Sequence, residues 1–235
     1  MINKILIDED NRRYYWEKGD FHTNLGLIKE KEIKNKSIAK TNLGKKFIVL
    51  DANFLDNLKK IKRGAQTANL KDIGGILVYT GINKDSVVLE AGSGSGQLTC
   101  FLAKFTKKVY SYERDIKNYK IVKKNLEFLN IDNVELINKD VKNIKEKNLD
   151  LIILDLLDPW NYIKKIDKSL KNSSYLALYL TNINQVIKTL KYLNEFLVEK
   201  IISVKEESWV SKKLVLRPEH FSLTHTAFLV FARKI

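Results

Sequence analysis

The length, charge and cysteine content of this chain set the first limits on what it can be. Its 235 residues suffice for one sizeable core and a small accessory domain, because a domain commonly takes roughly 100–200 residues. With 42 Lys and Arg against 28 Asp and Glu, the net charge of +14 favours a polyanionic partner such as nucleic acid, although lysine-rich solvated surfaces would give the same excess. Cys100 is the single cysteine, which excludes an internal disulfide and a cysteine zinc cluster, and no run reaches the ~20 apolar residues of a membrane span. We therefore expect a cytoplasmic protein with no metal and no membrane partner.

Residues 1–60 predict a small β-rich domain. Short runs of β-branched and aromatic residues alternate with Gly19, Gly26 and Gly44, as in a small barrel or a folded sheet. The predicted strands cover residues 5–7, 13–16, 21–28 and 47–50. A lysine-rich segment at 53–63 then leads to a predicted helix over 71–80, and the apolar stripe of this helix is Ile73, Ile76, Leu77 and Thr80. The domain boundary is expected near residue 60, so that residues 61–235 form the larger domain.

From Ser86 onward, apolar strand runs alternate with amphipathic helices, which is typical of a parallel sheet covered on both faces. Strands are predicted at 87–90, 109–113, 134–137, 149–154 and 175–180. Helices are predicted at 96–105, 115–129, 160–170 and 183–196, the last with its core-facing positions at Ile183, Val186, Ile187, Leu190 and Leu193. Two final strands, at about 197–209 and 223–233, lack a convincing helix between them and so predict an antiparallel hairpin.

The predicted fold class is therefore α/β. A Rossmann-like domain with a mostly parallel seven-stranded sheet ends in the C-terminal antiparallel hairpin, and the small N-terminal β domain precedes it. Such an ending is typical of class I methyltransferases, whereas dinucleotide dehydrogenases normally continue with further parallel units.

The sharpest local signal is the glycine-rich segment 90–96, at the end of the first strand of the sheet and the start of the next helix. Glycine permits the tight turn and the close approach of backbone to ligand that such a loop needs. A dinucleotide-binding loop, G-x-G-x-x-G, would require glycine where Gln97 stands. Glu90 is poorly suited to a pyrophosphate but could orient the loop or the ammonium group of a methionine moiety. The alternatives are a structural turn without ligand and a nicotinamide site. The candidate cofactor-binding residues of this segment are Glu90, Gly92, Ser93, Gly94, Ser95, Gly96, Gln97 and Leu98.

Acidic residues follow three further strands, at the edge where open α/β sheets bind their ligands. Glu113 comes 21 residues after Gly92, where a carboxylate can accept hydrogen bonds from both hydroxyls of a ribose. Asp140 is expected to accept from the exocyclic amine of the cofactor adenine, and Asp155 to face the reacting groups. Each acid could instead be an ordinary exposed residue, but their placement after successive strands favours a cofactor site. Trp160 is either a packing residue or a surface on which a base stacks.

Further motifs across nearly the whole chain resemble the tRNA adenine-N1 methyltransferases of the TrmI type. The N-terminal segment from Gly19 to Ile28 is similar to the G-x-F-H-T-x-x-G-x-I of that family, and the glycine-rich segment is followed by Leu98-Thr99. The other shared motifs are Arg63-Gly64-Ala65-Gln66, Lys71-Asp72, Tyr112-Glu113, Asp155-Leu156 with Pro159-Trp160, Asn184-Gln185-Val186, Arg217-Pro218 and His225-Thr226-Ala227-Phe228-Leu229. The chain departs from the family pattern at Leu157, Thr181-Asn182, Thr224 and Ala227, which concerns the acceptor pocket and leaves the cofactor residues intact.

The resemblance implies S-adenosyl-L-methionine as the cofactor and methylation of N1 of an adenine in the T-loop of tRNA, at position 58 and in some archaeal members also at 57. N1 carries its own lone pair, so the reaction needs positioning and desolvation rather than a strong base. An ionised Asp155 would stabilise the positive charge that develops on the purine, which makes it both the catalytic candidate and a cofactor neighbour. The resemblance also implies a homotetramer, Gln66 as a cofactor neighbour, and four substrate-binding residues: Tyr79, Trp160, Asn184 and His225.

Three other functions stay open from the residues. A methyltransferase of nucleic-acid amino groups would carry a D/N-P-P-aromatic motif, whereas this chain has a single proline in Asp158-Pro159-Trp160. A catalytically silent tRNA-binding subunit would not need the intact glycines and acids. A nicotinamide oxidoreductase conflicts with Gln97 and with the antiparallel end of the sheet. His225 could also be a core histidine without a direct role.

Overall fold

A computed structural model describes residues 1–212, 215–220 and 225–235 of the chain. The chain divides into two compact units, Met1–Ile61 and Lys62–Ile235. This division lies beside the domain boundary expected near residue 60. Among the helices of the described ranges, none combines the length and apolar character that a membrane crossing requires.

The first unit is built from two small antiparallel sheets. Four strands pair in the order β2-β1-β6-β5, and β3 and β4 form a separate hairpin. Its core contains Leu6, Trp16, Ile28, Ile33 and Phe47. The elements are β1 (Lys4–Ile7), β2 (Arg13–Trp16), β3 (Phe21–Thr23), β4 (Gly26–Ile28), α1 (Glu30–Asn35), β5 (Ile38–Lys40), β6 (Lys46–Asp51) and α2 (Phe54–Leu58).

The predicted small β domain is confirmed, with two differences in its elements. The run at 21–28 forms two strands because the chain turns back between Thr23 and Gly26, whose φ of 111° favours glycine. The lysine-rich segment contains α2, since Asn53 and Asp56 form a capping box at its start. Helix α1 and strand β5 are too short to show a hydrophobic periodicity in the sequence, so the sequence does not predict them.

The second unit contains a seven-stranded sheet in the order β12-β15-β11-β10-β7-β8-β9. Five strands, from β11 to β9 in this order, are parallel, and β15 runs antiparallel to both β11 and β12. The elements are α3 (Leu70–Thr80), β7 (Val87–Ala91), α4 (Gln97–Phe105), β8 (Lys108–Tyr112), α5 (Ile116–Phe128), β9 (Val134–Ile137), β10 (Leu149–Leu154), α6 (Ile163–Ile166), β11 (Leu170–Leu180), α7 (Ile183–Leu190), β12 (Phe196–Ile202), β13 (Trp209–Lys212), β14 (Val215–Pro218) and β15 (Phe228–Lys234). The predicted mostly parallel sheet with its antiparallel end is confirmed.

Side chains alternate between two cores on the two faces of this sheet. Leu151 and Ile153 of β10 pack into a core with α3 and α4, whereas Ile152 and Leu154 pack into a core with α6 and α7. Such double burial explains why the parallel strands appear as continuous apolar runs in the sequence. The sheet therefore lies between two helical layers, as the sequence predicts.

Two predicted helices are shorter than expected. The segment 160–170 contains only α6 between two 3₁₀ turns, Pro159–Asn161 and Asp167–Ser169. Helix α7 ends at Leu190, and Leu193 is buried in the segment that follows it. Only a narrow side of α7 itself faces the sheet. Ile183 and Ile187, which were predicted to face the core, are instead 51% and 53% exposed.

The predicted closing strands are partly different in the structure. β12 ends at Ile202, and Trp209–Lys212 pairs with Val215–Pro218 in a separate hairpin that the sequence pattern does not reveal. The last strand was predicted to start at 223, but residues 221–224, including the departure at Thr224, lie outside the described residues. Within those, β15 begins at Phe228.

A buried polar cluster ties the start of α3 to the segment before β15. The Lys71 Nζ atom donates to Asp72 Oδ1 at 2.8 Å, to the Val204 carbonyl at 2.6 Å and to Thr226 Oγ1 at 2.5 Å. The hydroxyls of Thr226 and Tyr179 donate to Asp72 Oδ2, at 2.5 and 3.2 Å. Because the Lys71 and Asp72 side chains are only 5% and 0% exposed, both charges depend on these partners.

We expect Thr226→Val to lower the free energy of unfolding by about 1–3 kcal/mol, because it leaves the buried Lys71 and Asp72 each without one partner. Thr189→Val is the matched control, since the Thr189 hydroxyl is buried and has no hydrogen-bond partner among the described residues. That control should be neutral or stabilising. Urea unfolding of both variants tests this, and equal losses would show that the cluster contributes nothing specific.

Candidate active site

Strands β7 and β10 are parallel neighbours in the sheet, and the order in which the chain adds strands reverses between them. From β7 the chain proceeds to β8 and β9 on one side, and from β10 to β11 on the other. The connections on the two sides cover opposite faces, so a crevice opens between the carboxyl ends of β7 and β10. Open α/β sheets bind their ligands at this kind of switch point.

Gly92 and Asp155 meet at the base of this crevice. A Cβ atom on Gly92 would lie 2.0 Å from the carbonyl oxygen of Asp155, and the φ of Gly92 is 94°. The Gly92 amide donates to the Tyr112 carbonyl at 3.0 Å, while the Asp155 amide donates to the Ala91 carbonyl at 2.9 Å. Only glycine fits at position 92, because both the space and the backbone conformation exclude a side chain.

Glu113 holds the glycine loop at its second glycine. Its Oε2 accepts from the Gly94 amide at 2.9 Å, and its Oε1 accepts from the Asp115 amide at 2.9 Å. The residue is buried, yet its carboxylate borders the crevice. Each carboxylate oxygen has a second lone pair, so Glu113 can position the loop and still accept from a ligand hydroxyl.

The two serines of the glycine loop fix its shape from behind. Ser93 Oγ lies 2.5 Å from Ser111 Oγ, and Ser95 Oγ accepts from the Gly64 amide at 2.8 Å. Gly96, with a φ of 80°, is the residue before α4, and a Cβ atom there would lie 3.0 Å from the Val122 side chain. These predicted cofactor-binding residues therefore determine where the loop backbone lies.

Gln97 and Leu98 begin helix α4 and face away from the crevice. The Gln97 side-chain amide donates to the Ala68 carbonyl at 3.0 Å. Leu98 is 3% exposed and packs in the core on the α3 and α4 side of the sheet. Their backbone atoms alone adjoin the loop.

Glu90 lies inside the protein, behind the loop. It accepts hydrogen bonds from Thr99 Oγ1 and, at 3.1 Å, from Ser111 Oγ. Burial raises the pKa of Glu90 to about 8, the two hydrogen bonds offset part of this rise, and the Asp155 and Glu113 carboxylates add to it. These contacts support its role in orienting the loop, because its carboxylate does not reach the lining of the cavity.

A cavity of about 330 Å³ fills the crevice, a volume within the range of small-molecule sites. Six of the residues singled out in the sequence border it: Gln66, Gly92, Gly94, Glu113, Asp140 and Asp155. Ten further residues border it that the sequence reasoning did not assign to the cofactor or the substrate: Ala65, Ala91, Tyr112, Arg114, Asn118, Lys139, Val141, Leu156, Leu157 and Tyr162. Most of these flank a predicted residue directly, whereas Asn118 and Tyr162 reach the cavity from α5 and from the turn before α6.

The Asp155 carboxylate faces this cavity without a hydrogen-bond partner among the described residues. Burial, and to a lesser extent the Glu113 carboxylate, raises the pKa of Asp155 to about 7. An acid in this state is stabilised in its charged form by a cation placed beside it. The predicted catalytic residue is therefore located where a positively charged reactant would be held.

Asp140 borders the other end of the cavity, beyond Glu113. Its Oδ1 accepts from the Lys142 amide at 2.8 Å, and its Oδ2 accepts from the Tyr162 hydroxyl at 3.3 Å. The Arg114 guanidinium lies 3.8 Å from the same Oδ2. These contacts orient the carboxylate and leave lone pairs free for a donor such as an exocyclic amine.

The four predicted substrate-binding residues do not border this cavity. Tyr79 stands in the last turn of α3, with its ring 5.4 Å from Phe231 and under the Lys200 ammonium. The Lys188 ammonium lies over the Trp160 ring, 3.9 Å from the ring centre. Asn184 is exposed in the first turn of α7.

His225 lies at the same edge of the sheet as Asp155. Its Nδ1 is 3.2 Å from Ser203 Oγ and its Nε2 is 3.4 Å from the carbonyl oxygen of Thr181, the residue that follows β11. Its ring packs against Phe228, with the ring centres 4.7 Å apart and the planes tilted by 54°. His225 is exposed, so the alternative of a core histidine does not describe it.

The residues that are present fit S-adenosylmethionine. The glycine loop lets a ligand approach the backbone at the switch point, and two carboxylates follow it along the cavity in the order that ribose hydroxyls and an adenine amine require. The third carboxylate, of Asp155, is next to the loop, where the sulfonium group and the acceptor would meet. Within the described residues, no group of three or more His, Cys, Asp or Glu side chains is arranged to hold a metal ion.

Comparisons with known proteins agree with this geometry. The family model for ribosomal RNA adenine dimethylase matches residues 28–191. TrmI of Methanocaldococcus jannaschii, a tRNA (adenine(57)-N(1)/adenine(58)-N(1))-methyltransferase, is 34% identical over 98% of this chain and 94% of its own length. Two solved structures are similar over their length. A Thermotoga maritima SAM-dependent O-methyltransferase has a TM-score of 0.87 and 28% identity, covering 100% of this chain and 93% of its own. Aquifex aeolicus tRNA (m1A58) methyltransferase TrmI has a TM-score of 0.84 and 26% identity, covering 99% and 96%.

The doubly wound sheet, the glycine loop and the carboxylates along its edge define a class I S-adenosylmethionine-dependent methyltransferase. Its 34% identity to M. jannaschii TrmI over nearly the whole of both chains shows that it belongs to the TrmI family of tRNA (adenine-N1)-methyltransferases.

We expect Gly92→Ala to lower the affinity for S-adenosylhomocysteine at least 100-fold, because the new Cβ atom displaces the Asp155 backbone. Gly94→Ala is the control: its φ is 56°, but a Cβ there would meet its nearest neighbour at an ordinary 3.6 Å. Gly94→Ala should lower the free energy of unfolding by only about 1–2 kcal/mol, through backbone strain. Titration calorimetry and urea unfolding measure both effects, and equal behaviour of the two variants would contradict the argument.

The raised pKa of Asp155 predicts a specific dependence of stability on pH. Between the ordinary value of 3.8 and about 7, the folded protein binds more protons than the unfolded chain, so the free energy of unfolding falls as the pH rises. Asp155→Asn has no carboxyl group at this position, so the variant does not lose this part of the free energy of unfolding as the pH rises. We expect the variant to exceed the wild type by about 1–4 kcal/mol at about pH 8 and to match it near pH 4. A difference that is the same at both pH values in urea unfolding would refute this account of the site.

Proposed function

We propose that this protein transfers a methyl group from S-adenosyl-L-methionine to N1 of adenine 58 in the T-loop of tRNA, and that adenine 57 is the candidate for a second acceptor. The observation that carries the proposal is the Asp155 carboxylate, which faces the cavity at the switch point without a hydrogen-bond partner among the described residues. The family relationship supplies the acceptor, since the M. jannaschii relative is a tRNA adenine-N1 methyltransferase.

The residues along the cavity would hold the cofactor at three points. Glu113 would accept from the ribose hydroxyls, and Asp140 from the adenine amine, while the backbone of the glycine loop lies against the methionine part. When bound, the cofactor supplies an electrophilic methyl group on a sulfonium. Burial of Glu113 and Asp155 in the crevice makes their interactions with positive charge stronger than they would be in water.

Asp155 supplies charge stabilisation to the acceptor rather than base catalysis. Adenine N1 has a lone pair and no proton to lose, so attack on the methyl carbon leaves a positive charge on the purine. An ionised Asp155 beside the exocyclic amine would hold the base and stabilise that charge in the transition state. With a pKa of about 7 in the free protein, Asp155 needs pH above neutrality, or a cation beside it, to be mainly ionised.

The acceptor base must leave its stack to reach this carboxylate, because N1 is buried in pairing or tertiary contacts in folded tRNA. Leu157 borders the cavity and is 78% exposed, so an apolar surface is available at its mouth for a base. Trp160, Asn184, Tyr79 and His225 stay candidates for contacts with tRNA. Of these, His225 has the strongest support, because it stands at the edge that carries Asp155.

The competing proposal is methyl transfer to a different acceptor atom, either an oxygen or an exocyclic amino nitrogen. The T. maritima structure is named an O-methyltransferase, and the matching family model describes adenine dimethylases. The single proline of Asp158-Pro159-Trp160 disfavours amino-group methylation, for which a second proline is usual. The identity of 34% with an N1-specific relative over nearly the full length favours N1.

The homotetramer and the cytoplasmic location belong to the same proposal. Large apolar side chains are exposed on β12 and on the β13–β14 hairpin, including Leu197 at 58%, Trp209 at 53% and Leu216 at 67%. Burial of such a surface between subunits would be favourable. Light scattering of the purified protein measures the number of subunits.

The decisive experiment is incubation of the protein with unmodified tRNA and a methyl-labelled cofactor, followed by nucleoside mass mapping. We expect 1-methyladenosine at position 58, and no label when position 58 carries guanosine and position 57 has no adenine. Label in N6-methyladenosine or in a ribose methyl group would overturn the N1 assignment. Mapping of position 57 decides whether one or two adenines are modified.

We expect Asp155→Ala to lower the turnover of methyl transfer at least 100-fold, with less than about a 10-fold change in the affinity for S-adenosylhomocysteine. The physical reason is that the carboxylate stabilises positive charge, whereas the sulfur of S-adenosylhomocysteine is a neutral thioether. Single-turnover kinetics and calorimetry measure the two quantities separately. Unchanged turnover would remove Asp155 from the mechanism, and Asp155→Asn distinguishes the loss of charge from the loss of packing.

A further inference from the structure

A stripe of lysines runs along one flank of the catalytic unit, starting at the cofactor cavity. It belongs to two segments, 139–147 and 164–168, which both cross the face of the sheet that α6 and α7 cover. All of its members are exposed. The lysine stripe consists of Lys139, Lys142, Lys145, Lys147, Lys164, Lys165 and Lys168.

Two hydrogen bonds bring these segments side by side. Lys165 Nζ donates to the carbonyl of Lys142 at 3.2 Å, and Lys147 Nζ donates to the carbonyl of Lys168 at 3.3 Å. The stripe starts at Lys139, which borders the cavity, and ends near the amino ends of β10 and β11. Its length is roughly 20 Å, since β10 has six residues at about 3.3 Å each.

The lysines of the stripe are not neutralised by carboxylates. In the part of the chain that the structure describes, none of them forms an ion pair, whereas Lys36, Lys108 and Lys171 elsewhere on the surface do. The acids of the two segments have other partners. Asp140 accepts from the Tyr162 hydroxyl at 3.3 Å and lies 3.8 Å from the Arg114 guanidinium, Glu146 accepts from the Tyr112 hydroxyl at 2.6 Å, and Asp167 pairs with Lys234 at 3.0 Å. The stripe therefore presents a strong net positive charge to solvent.

The chemistry of the stripe fits a phosphate backbone better than a membrane. Its apolar neighbours Val141, Ile163 and Ile166 are buried in the core, and the two segments expose no large hydrophobic side chain. A surface that binds membranes usually adds apolar residues to its positive charge. Ammonium groups spaced along about 20 Å can instead face several successive phosphates, and their neutralisation releases counterions.

From this arrangement we infer that the lysine stripe binds the phosphate backbone of the RNA substrate and guides it to the cavity mouth. The inference rests on the proposed function and adds to it the surface on which the RNA lies. These lysines bind and position the substrate. Because they do not touch the reacting atoms, their loss should affect the Michaelis constant for RNA and leave the chemical step intact.

The test is the triple variant Lys142→Ala, Lys145→Ala and Lys165→Ala, which leaves Lys139 at the cavity and the backbone contact to Asp140 in place. The matched control replaces Lys36, Lys108 and Lys171 with alanine. It removes the same number of charges, but from lysines that are already paired with Glu32, Glu135 and Asp150. Binding of unmodified tRNA is measured by fluorescence anisotropy over a range of salt concentrations.

We expect the stripe variant to bind tRNA at least 10-fold more weakly than the control at about 0.1 M salt. The slope of log affinity against log salt should become shallower by about 2–3, because each lost phosphate contact removes about one unit. The Michaelis constant for tRNA should rise with little change in turnover, and the affinity for S-adenosylhomocysteine should stay the same.

The outcomes separate this inference from the proposed function. If the wild type binds and methylates tRNA and the stripe variant behaves like the control, the stripe is not the RNA surface, although the proposed function stands. If the stripe variant loses binding to vesicles of anionic phospholipid but not to tRNA, the partner is a membrane and the inference is overturned. If the wild type does not methylate tRNA at all, the proposed function itself fails.

Discussion

The contact between the backbones of Gly92 and Asp155 is the constraint on which the site depends. Strands β7 and β10 are paired up to Ala91 and Leu154, and the next residue of each strand must turn away from the other. A side chain at position 92 would occupy the place of the Asp155 carbonyl, so the two turns fit only when the first begins with glycine. The same contact orients the Asp155 carboxylate toward the cavity and sets the start of the loop that Glu113 holds.

The charges of the catalytic unit are arranged in opposite ways inside and outside. Burial raises the pKa of Glu90 and of Asp155; the Glu113 carboxylate adds to the rise at both, and the Asp155 carboxylate adds to it at Glu90. The surface, in contrast, carries the excess of lysine that gives the chain its net charge of +14. The buried carboxylates suit a cationic cofactor, and the surface lysines suit a polyanionic substrate. The wall of the cavity separates these two environments.

The sequence predicts the parallel strands and the acids at their ends well, because strands buried on both faces leave uninterrupted apolar runs with a sharp end. Glu113 and Asp155 follow such runs directly, so their place at the edge of the sheet could be inferred. Tyr79 shows where this reasoning stops. It stands one residue before the end of α3, and its ring packs on Phe231 of β15, two strands away from β10 in the sheet, so it does not reach the cavity between β7 and β10. The contribution of Tyr162 was equally hidden, since it depends on how the short turns before α6 bend back to Asp140.

The position of β15 has a consequence for how the protein is made. This strand lies between β11 and β12, although both of these precede it in the chain. During synthesis, β11 and β12 leave the ribosome before the strand that joins them, and each exposes an open row of backbone donors and acceptors until it arrives. The Lys71 and Asp72 side chains likewise lack their hydrogen bonds to the Thr226 hydroxyl until that residue has been synthesised. The sheet of the nascent catalytic unit therefore stays incomplete, with two open strand edges, until β15 has been synthesised.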